Sequence, residues 1–458
     1  SAINLPMAKS LPATCTLWPT LALALALIGA ASMFYYHQRL FMPRVQAARM
    51  AQGLDNGYAF GNDFYQVWLA ARESLRHRHD PYSPEMTREI QIGLFGRPLD
   101  PNRGDPIDRR VFPYPAFTVL LFWPAAEFPF SPVRGVVVCL LAAFTVATVM
   151  LWLRALHWRI AGKWIIVISL LTLTSYPALE GLYSAQLGLL VGFLLAAGIV
   201  ALQKSHFFFA GFFLALTTIK PHVTALVILY LLLWSLHLWR DRGRTLVGFF
   251  TTLALLTAAA LVVLPHWIQS WIHTVLAARH YTQPPVLAEI LTSLLGSSLA
   301  GPVALLLMAV FLALGVVLAW RNRSAEANSR AFWITLSLLL AITAVTILRG
   351  LAIYDHLILL PAILLLIRDR SGLATSGPVP RILLATGALV LLWPWIAAFA
   401  LILLRPWLAW SAFNSNPILS LPLRNAASLP IMVLVLLVWM RRVIPCRTSE
   451  AVAEHSCA

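Results

Sequence analysis

The segment VRGVVVCLLAAFTVATVMLWL, residues 133–153, is an apolar run whose one charged side chain, Arg134, stands near its start. In hydrocarbon the backbone must satisfy its own polar groups, so a run of about 20 apolar residues predicts a transmembrane helix. Similar runs recur along the 458 residues, of which 60% are hydrophobic and 11% charged, with a mean hydropathy of +0.78. The sequence therefore predicts an all-α integral membrane protein and excludes an ordinary soluble globular protein.

The apolar runs predict about twelve transmembrane spans in a single membrane domain, residues 1–458. A long outer loop, 37–132, separates the first two spans. Its segment YPAFTVLLFWPAAEFPF, 114–130, is short and broken by prolines, which indicates a re-entrant or interfacial piece. The predicted spans are 17–36, 133–153, 164–179, 187–203, 207–219, 222–238, 245–264, 299–320, 331–348, 356–367, 382–404 and 429–440.

The formal net charge of +16 is explained by the orientation of the spans. With the N-terminus in the cytoplasm, most lysines and arginines outside the long loop fall in inner connections, as the positive-inside rule expects for a plasma-membrane protein. The short outer connections contain only Arg134, Lys220, Arg279, Arg349, Arg405 and Arg424. The charge is therefore expected without a nucleic-acid partner.

Polar motifs gather at the outer ends of the predicted spans. Ionisable groups at helix ends within a membrane are costly to desolvate, so they are functional candidates. Besides the loop around Asp63, the motifs are SYPALEGLYSAQ (175–186), IKPH (219–222), PHWIQSWIHTVLAARHYTQPP (265–285) and RGLAIYDH (349–356). Their position on one face predicts a shared, outward-facing site.

The segment 63–82 has apolar residues at helical spacing, which predicts an amphipathic helix on the membrane surface. Asp63 at its start has two compatible interpretations. It is an N-cap or first-turn acid, which the physics alone favours, or a carboxylate that acts as a base. The face expected toward the membrane holds Phe64, Trp68, Ala71 and Leu75, and the face expected toward water holds Gln66, Arg72, Glu73 and Arg76.

The remaining polar residues also have structural interpretations. Lys220 lies between two short apolar segments and suits either snorkelling to the lipid headgroups or phosphate binding. Glu180 and Gln186 lie in a tight outer turn, where helix-end hydrogen bonding is the simpler explanation. A structural ion pair is the alternative for Arg349, Asp355 and His356.

Histidine, cysteine and carboxylate spacings predict no metal site. HRHD, 77–80, is expected to be a solvated turn, since two histidines at i and i+2 do not share a helix face. The four cysteines show no metal-ligand spacing, and the topology places none in an outer loop. The spaced acids Asp100, Asp105 and Asp108 make a weak metal site, and His266, His273 and His280 are expected at the membrane interface.

Several motifs, taken in order, resemble glycosyltransferase family 87. They are DFYQVWLAAR (63–72) with DPY (80–82), FPYP (112–115), YSAQLGLLVGFLLA (183–196), LALTTIKP (214–221) and YDHLILLPAILLL (354–366). That family belongs to the GT-C superfamily of integral membrane glycosyltransferases, which take sugars from polyprenyl monophosphate. The chain departs from the family pattern at RHRH (76–79) in place of a glycine-containing turn, at Ala185 in place of the glycine before Gln186, and at Ala116 in place of a second proline.

The resemblance implies about a dozen spans, a catalytic acid in the first outer loop and transfer of mannose or a related sugar to a glycolipid or glycan acceptor. A departing phosphate needs no protonation, so one base is enough, and Asp63 is expected to deprotonate the acceptor hydroxyl with inversion. Expected donor-phosphate ligands are Lys220, Arg279 and His356. Expected substrate-binding residues are Tyr82, Tyr114, Glu180, Gln186, Arg349 and Asp355. Transfer is expected to need no metal or other cofactor, and membrane lipids surround the chain.

Two other functions fit a membrane domain of this kind. A transporter or lipid flippase would also enclose a polar cavity, but transporters place coupling residues near the bilayer midplane within inverted repeats. In this chain the first loop has no counterpart in the second half. A polymerase or ligase of diphosphate-linked glycans would share the outward-facing site and would not consume a monophosphate-linked single sugar.

Overall fold

The computed structural model describes residues 14–54, 60–106, 108–278, 282–349, 353–407 and 416–443. Helices dominate these ranges, and no β-strand occurs within them. An isolated antiparallel bridge joins Pro285 to Arg349. The all-helical architecture expected from the sequence is therefore confirmed.

The described residues of the first half of the chain form ten α-helices, a π-helical turn and a short 3-10 helix. The π-helical turn is Tyr36–Phe41 and the 3-10 helix is Pro101–Arg103. The α-helices are α1 (Thr14–Tyr35), α2 (Met42–Ala51), α3 (Asn62–His77), α4 (Pro84–Phe95), α5 (Phe117–Leu121), α6 (Trp123–Ala126), α7 (Phe130–Ala155), α8 (Gly162–Leu173), α9 (Tyr176–Tyr183) and α10 (Gly188–Gln203).

The second half continues in the same way. Its 3-10 helices are Thr217–Ile219, Ile353–Leu359, Arg405–Trp407 and Leu421–Leu423. Its α-helices are α11 (Phe207–Leu216), α12 (Pro221–His237), α13 (Trp239–Arg242), α14 (Arg244–Val263), α15 (Trp267–Ala278), α16 (Val286–Leu295), α17 (Ser297–Arg321), α18 (Arg330–Thr346), α19 (Leu360–Arg368), α20 (Arg370–Ala374), α21 (Pro378–Leu404), α22 (Asn416–Leu419) and α23 (Ser428–Val443).

Among the described residues, 6 helices are long and apolar enough to cross a membrane, and the bent pair α8–α9, with a 58° bend, raises the number to 7. Shorter apolar helices, α10, α11, α12, α16 and α18, accompany them. The chain is thus a multi-pass membrane protein, and the full set of about twelve spans stays a prediction. The 6 helices are Trp18–Ala51, Phe130–Ala155, Arg244–Val263, Ser298–Arg321, Pro378–Trp407 and Leu421–Val443.

The first helix is longer than expected. The sequence predicted a span that ends at residue 36, but the helix continues through the π-helical turn to Ala51. Residues 37–51 contain no glycine, and Pro43, the second residue of α2, follows the π-helical turn, where the regular α-helical bonding is already interrupted. The long outer loop therefore leaves the helix later than predicted.

The segment 114–130 forms α5 and α6, which have 5 and 4 residues, before α7 begins at Phe130. A membrane-spanning helix needs about 20 residues. Neither short helix can cross a bilayer alone, as the prolines predicted.

The expectation that α3 lies on the membrane surface is wrong. Phe64 is fully buried and packs edge-on against Phe122, with ring centroids 5.3 Å apart, and Trp68 packs against Phe130 at 5.5 Å. Gln66, which was expected to face water, is only 5% exposed. The apolar face of α3 is covered by α5, α6 and α7, so the protein itself, rather than lipid, receives it.

Close helix contacts fix the framework around the outer loop. Gly211 of α11 faces the backbone of Thr245 in α14, and Gly248 of α14 faces the backbone of Phe208 in α11. A β-carbon at either glycine would collide with that backbone, so the small residues set the distance between the two helices. α7 and α10 also pack side by side, and residues of both belong to the largest apolar core.

Candidate functional site

Backbone hydrogen bonds attach the start of α3 to the turn between α9 and α10. The Gly61 amide donates to the Tyr183 carbonyl at 2.7 Å, and the Asp63 amide donates to the Ser184 carbonyl at 3.1 Å. Gly61 has a φ of 78°, and a β-carbon there would overlap the side chain of Arg134. Glycine is therefore required where the chain enters α3, and this entry places Asp63 in the first turn.

The Asp63 carboxylate is the centre of a buried polar network. Arg110 Nη1 donates to Asp63 Oδ1 at 2.8 Å, and Gln186 Nε2 donates to Asp63 Oδ2 at 2.7 Å. The Tyr114 hydroxyl donates to Gln186 Oε1 at 2.9 Å. Tyr82 supports the network from behind, because its hydroxyl donates to the Tyr114 carbonyl at 2.7 Å. A carboxylate offers about four acceptor positions, so Asp63 keeps capacity for a further proton donor.

Asp63 is a first-turn acid, as expected, but the N-cap interpretation is wrong. The N-cap position belongs to Gly61, and no side chain caps this helix end. The carboxylate bonds to side chains that arrive from the outer loop and from the α9–α10 turn. Its role is therefore to hold these three parts of the chain together or to act on a ligand.

Burial alters the acidity of the network. Asp63 is 9% exposed, and desolvation raises its pKa above the ordinary value of 3.8, although the Arg110 guanidinium and, more weakly, the Lys220 ammonium act in the opposite direction. Desolvation also raises the pKa of Tyr114 well above 10.0, so its hydroxyl stays protonated and donates. A carboxylate with a raised pKa is a stronger base than an exposed aspartate.

A buried ion pair lies next to this network. Lys220 Nζ donates to Asp355 Oδ1 at 2.6 Å and to Oδ2 at 2.8 Å, and the side chains are only 7% and 5% exposed. His222 Nε2 lies 3.7 Å from Asp355 Oδ2. Lys220 therefore does not snorkel to the headgroups, and the ion pair expected for Asp355 forms with Lys220 instead of Arg349.

Two residues place the ion pair close to Asp63. The ring of Tyr354 lies 4.9 Å from Lys220 Nζ, and its hydroxyl interacts electrostatically with both Asp63 and Asp355. Gly188, two residues after Gln186, faces the Asp355 carboxylate so closely that a β-carbon would overlap it. The entry into α10, residues 186–188, is therefore shared by the two buried carboxylates.

Glu180 belongs to a third polar group on the same side. Its Oε2 lies 3.2 Å from His37 Nε2, and the His37 ring packs against Tyr183 with centroids 5.7 Å apart. Arg49, at the end of the long first helix, interacts electrostatically with Glu180 and Asp63. Glu180 thus forms an ion pair or hydrogen bond across helices, beyond the helix-end bonding expected from the sequence.

Not every expected site residue joins this group. The Arg349 side chain is exposed, and its backbone forms the bridge to Pro285. Arg279 lies outside the described residues. His356 is 4% exposed, and its Nε2 is buried without a hydrogen-bond partner in the described part of the chain. A buried, unpaired ring nitrogen is costly, so a bound ligand is one way to satisfy it.

Sequence reasoning missed Arg110, the cation that pairs with Asp63. Arg110 has a left-handed φ of 54° and lies two residues before the FPYP motif (112–115). Its position beside that motif was the one available sign of a role in the site, because the lysines and arginines of the long loop carry no information on orientation. His37 and Arg49 were missed for the same reason, since residues 37–51 were assigned to the loop.

Within the described residues, the group that could hold a metal lies away from Asp63. Oxygen or nitrogen atoms of Glu73, His79 and Glu89 come within 4.8 Å of one another. Glu73 is ten residues after Asp63 on the same helix, which corresponds to about 15 Å along its axis. A metal at that position would therefore not touch the Asp63 carboxylate.

Among the spaced acids of the outer loop, Asp105 pairs with Arg97, whereas Asp108 Oδ2 lies 3.8 Å from Arg110 Nε, beside the Asp63 network. Arg97 Nη2 donates to Asp105 Oδ1 at 2.8 Å, and this guanidinium lowers the pKa of Asp105 to about 2. The Asp100 backbone amide also donates to Asp105, at 2.7 Å. Asp105 therefore orders the loop.

Comparison with known proteins gives one family. The model of glycosyltransferase family 87 matches residues 112–348, just over half of the chain. The matched region includes Tyr114, Gln186 and Lys220, whereas Asp63 precedes it and Asp355 follows it. Comparisons with curated proteins and with solved structures found no match.

Proposed function

Because this chain belongs to glycosyltransferase family 87, a family of membrane glycosyltransferases, we propose that it transfers a hexose from a polyprenyl monophosphate sugar to a glycolipid or glycan acceptor. We take mannose as the sugar and the extracytoplasmic face of the plasma membrane as the side of transfer. The reaction inverts the anomeric carbon and uses Asp63 as the general base.

The observation that carries this proposal is the buried Asp63 carboxylate, held by Arg110 and Gln186. The acceptor hydroxyl gives its proton to this carboxylate while its oxygen forms a bond to the anomeric carbon. The bond between that carbon and the phosphate oxygen breaks, and the electron pair leaves with the polyprenyl phosphate. The fixed orientation of Asp63 provides the geometric advantage of a pre-positioned base.

Stabilisation of the departing phosphate is assigned to Lys220, His356 and Arg279. An ammonium has three N–H donors, and Asp355 accepts two from Lys220, which leaves one for a phosphate oxygen. The unpaired Nε2 of His356 supplies a second polar contact. Charge stabilisation by Lys220 and Arg279, together with the polar contact from His356, takes the place of a metal in the proposed mechanism.

Substrate contacts are assigned to the polar residues around the two carboxylates. Tyr82, Tyr114 and Gln186 order the acceptor side through the Asp63 network, whereas Asp355 orders the donor side through Lys220. Glu180 and Arg349 complete the proposed set of substrate-binding residues.

The test is incubation of membranes that contain the protein with radiolabelled polyprenyl-phosphate-mannose, followed by identification of the labelled product. Asp63→Asn removes the base at nearly constant volume, so we expect transfer to fall by about a hundredfold or more. Asp80→Asn is the matched control, because Asp80 is exposed on the same loop and should keep most of the activity.

Two outcomes contradict the proposal. Near-normal turnover by Asp63→Asn would remove the base from the mechanism. Failure to label any product with any polyprenyl-phosphate sugar would instead support the transporter alternative. Membership of a glycosyltransferase family argues against that alternative. A chelator should leave turnover unchanged, since the Glu73, His79 and Glu89 group is remote from Asp63.

The side of transfer has its own test. Asn102 is exposed in the outer loop and Arg242 lies at the opposite end of the helical domain in the proposed topology. An impermeant thiol reagent applied to intact cells should label Asn102→Cys and leave Arg242→Cys unlabelled. The reverse pattern would place the site in the cytoplasm.

A further inference from the structure

A cavity of about 650 Å³ lies at the end of α7 and α10 that is remote from Asp63. At the other end of α7, Arg134 Nη1 donates to the Phe60 carbonyl beside the start of α3. α10 begins next to Gln186 and ends at Gln203, so its 16 residues separate the cavity from the candidate site by about 24 Å. The cavity is therefore independent of the proposed catalytic chemistry.

One wall of the cavity is strongly basic. Arg154, His157, Arg159 and Lys204 line it, and no carboxylate does. His157 Nε2 lies 3.3 Å from Asn328 Oδ1, but the other three side chains have no hydrogen bond or ion pair in the described part of the chain. Three uncompensated cations around one cavity attract an anion.

Another part of the lining is apolar. It includes Met150, Leu153, Ile165 and Val200. Met150 is 56% exposed on the outside of α7, a helix apolar enough to span the membrane, so the cavity opens toward the region that lipid covers. A ligand that contacts both the basic and the apolar part of the lining needs an anionic end and a hydrocarbon end.

The spacing of residues along α7 and α10 separates the apolar side chains of the cavity from the basic ones. Met150, Leu153, Arg154 and His157 follow one another at intervals of three and one along one face at the end of α7, and Val200, Gln203 and Lys204 do the same at the end of α10. The apolar member of each set lies one turn deeper than the cation. This is the order in which a phospholipid presents its acyl chain and its phosphate.

We propose that this cavity binds an anionic phospholipid, with the phosphate against Arg154, Arg159 and Lys204 and the first part of an acyl chain against Met150. Basic pockets between transmembrane helices are known binding places for anionic headgroups. The lipid belongs to the leaflet opposite the Asp63 side. A soluble phosphate would contact only the basic part of the lining and would leave the apolar part in contact with water.

The experiment uses the purified full chain in detergent, titrated with phosphatidylglycerol or with phosphatidylcholine, and counts bound lipids by native mass spectrometry. The test variant is Arg154→Gln/Arg159→Gln/Lys204→Gln. The control variant, Arg240→Gln/Arg244→Gln/Arg321→Gln, removes the same charge from helix ends that do not line the cavity.

We expect the test variant to lose affinity for phosphatidylglycerol by a factor on the order of a hundred, because each cation near a headgroup contributes several-fold. The control variant should stay within about threefold of the unaltered protein, and phosphatidylcholine should bind weakly to all three. A charge reversal at one exposed loop residue, Arg159→Glu, should weaken binding in the same direction, and it keeps the test decisive if the triple variant does not fold.

Other results overturn the proposal. Equal losses in the test and control variants would mean that any surface cation attracts the lipid. Inorganic phosphate or glycerol phosphate that binds the cavity, together with absent lipid binding, would identify a soluble anion as the occupant.

Discussion

Substitutions in the Lys220–Asp355 pair should separate stability from catalysis. Lys220→Met leaves the Asp355 carboxylate buried without its cation, and Asp355→Leu leaves the Lys220 ammonium buried without its anion. Both side chains are less than a tenth exposed, so neither charge can be rehydrated without opening the site. The double variant Lys220→Met/Asp355→Leu removes both charges and keeps similar apolar volume.

The expected magnitude follows from burial. Removal of one member of a buried pair costs about 3–5 kcal/mol of unfolding free energy, whereas apolar replacement of both is often neutral. His222, 3.7 Å from Asp355 Oδ2, partly replaces the lost cation in Lys220→Met, so we expect about 3 kcal/mol there. The double variant should lie within about 1 kcal/mol of the unaltered protein and still transfer sugar at least about tenfold more slowly, because the phosphate ligand is gone.

The measurement is reversible unfolding in mixed micelles, combined with the transfer assay on the same preparations. The exposed pair Arg76–Glu127, with atoms 2.7 Å apart, is the matched control, and Arg76→Met should cost less than about 1 kcal/mol. If both single variants cost no more than this control, the pair is not a buried, coupled unit. If the double variant transfers sugar normally, Lys220 has no part in phosphate stabilisation.

Three further predictions concern the rest of the site. Arg110→Gln should move the acidic limb of the pH–rate profile to higher pH, because the base works only when deprotonated and the loss of this cation raises the pKa of Asp63 further; an unchanged limb would exclude Asp63 as the titrating base. Gly188→Ala should disrupt the buried ion pair and reduce activity, whereas Gly192→Ala, one turn later with open space around it, should not; thermal stability and turnover of both variants test this. Ala185→Gly should increase the unfolding free energy by up to about 1 kcal/mol, since φ at this residue is 52°, and a loss of stability would refute the strain argument.

The length of the apolar runs was sufficient to predict the helical membrane architecture, and the distribution of charge between the loops predicted that polar motifs gather at one end. Tyr114, Gln186 and Asp63 are indeed neighbours, although they come from three separate motifs. The prediction and the structure agree for a physical reason: helices of similar length that cross the same bilayer end in the same two planes, so the polar residues at their ends come together.

The pairing of side chains within the site was beyond sequence reasoning. Lys220 and Asp355 are 135 residues apart, and no local pattern links them. Arg110 comes from a loop segment whose path has no periodicity, so its contact with Asp63 depends on tertiary structure alone. The burial of Gln66 was missed because periodicity reports the hydrophobic face of a helix and not how many sides the protein covers.

Two departures from the family pattern occur at backbone positions that favour glycine. Arg78, within RHRH (76–79), has a φ of 58° and ends α3, and Ala185 has a φ of 52° in the turn before Gln186. Hydrogen bonds hold the second turn in this conformation, because the Gln186 amide donates to Gly181 at 2.7 Å and the Ser184 carbonyl accepts from Asp63. The left-handed backbone is therefore kept without glycine, and Asp63 keeps its position. What differs at Arg78 is an exposed, charged side chain, so any change in acceptor preference should arise from the side chains of this turn and not from a different path of the backbone.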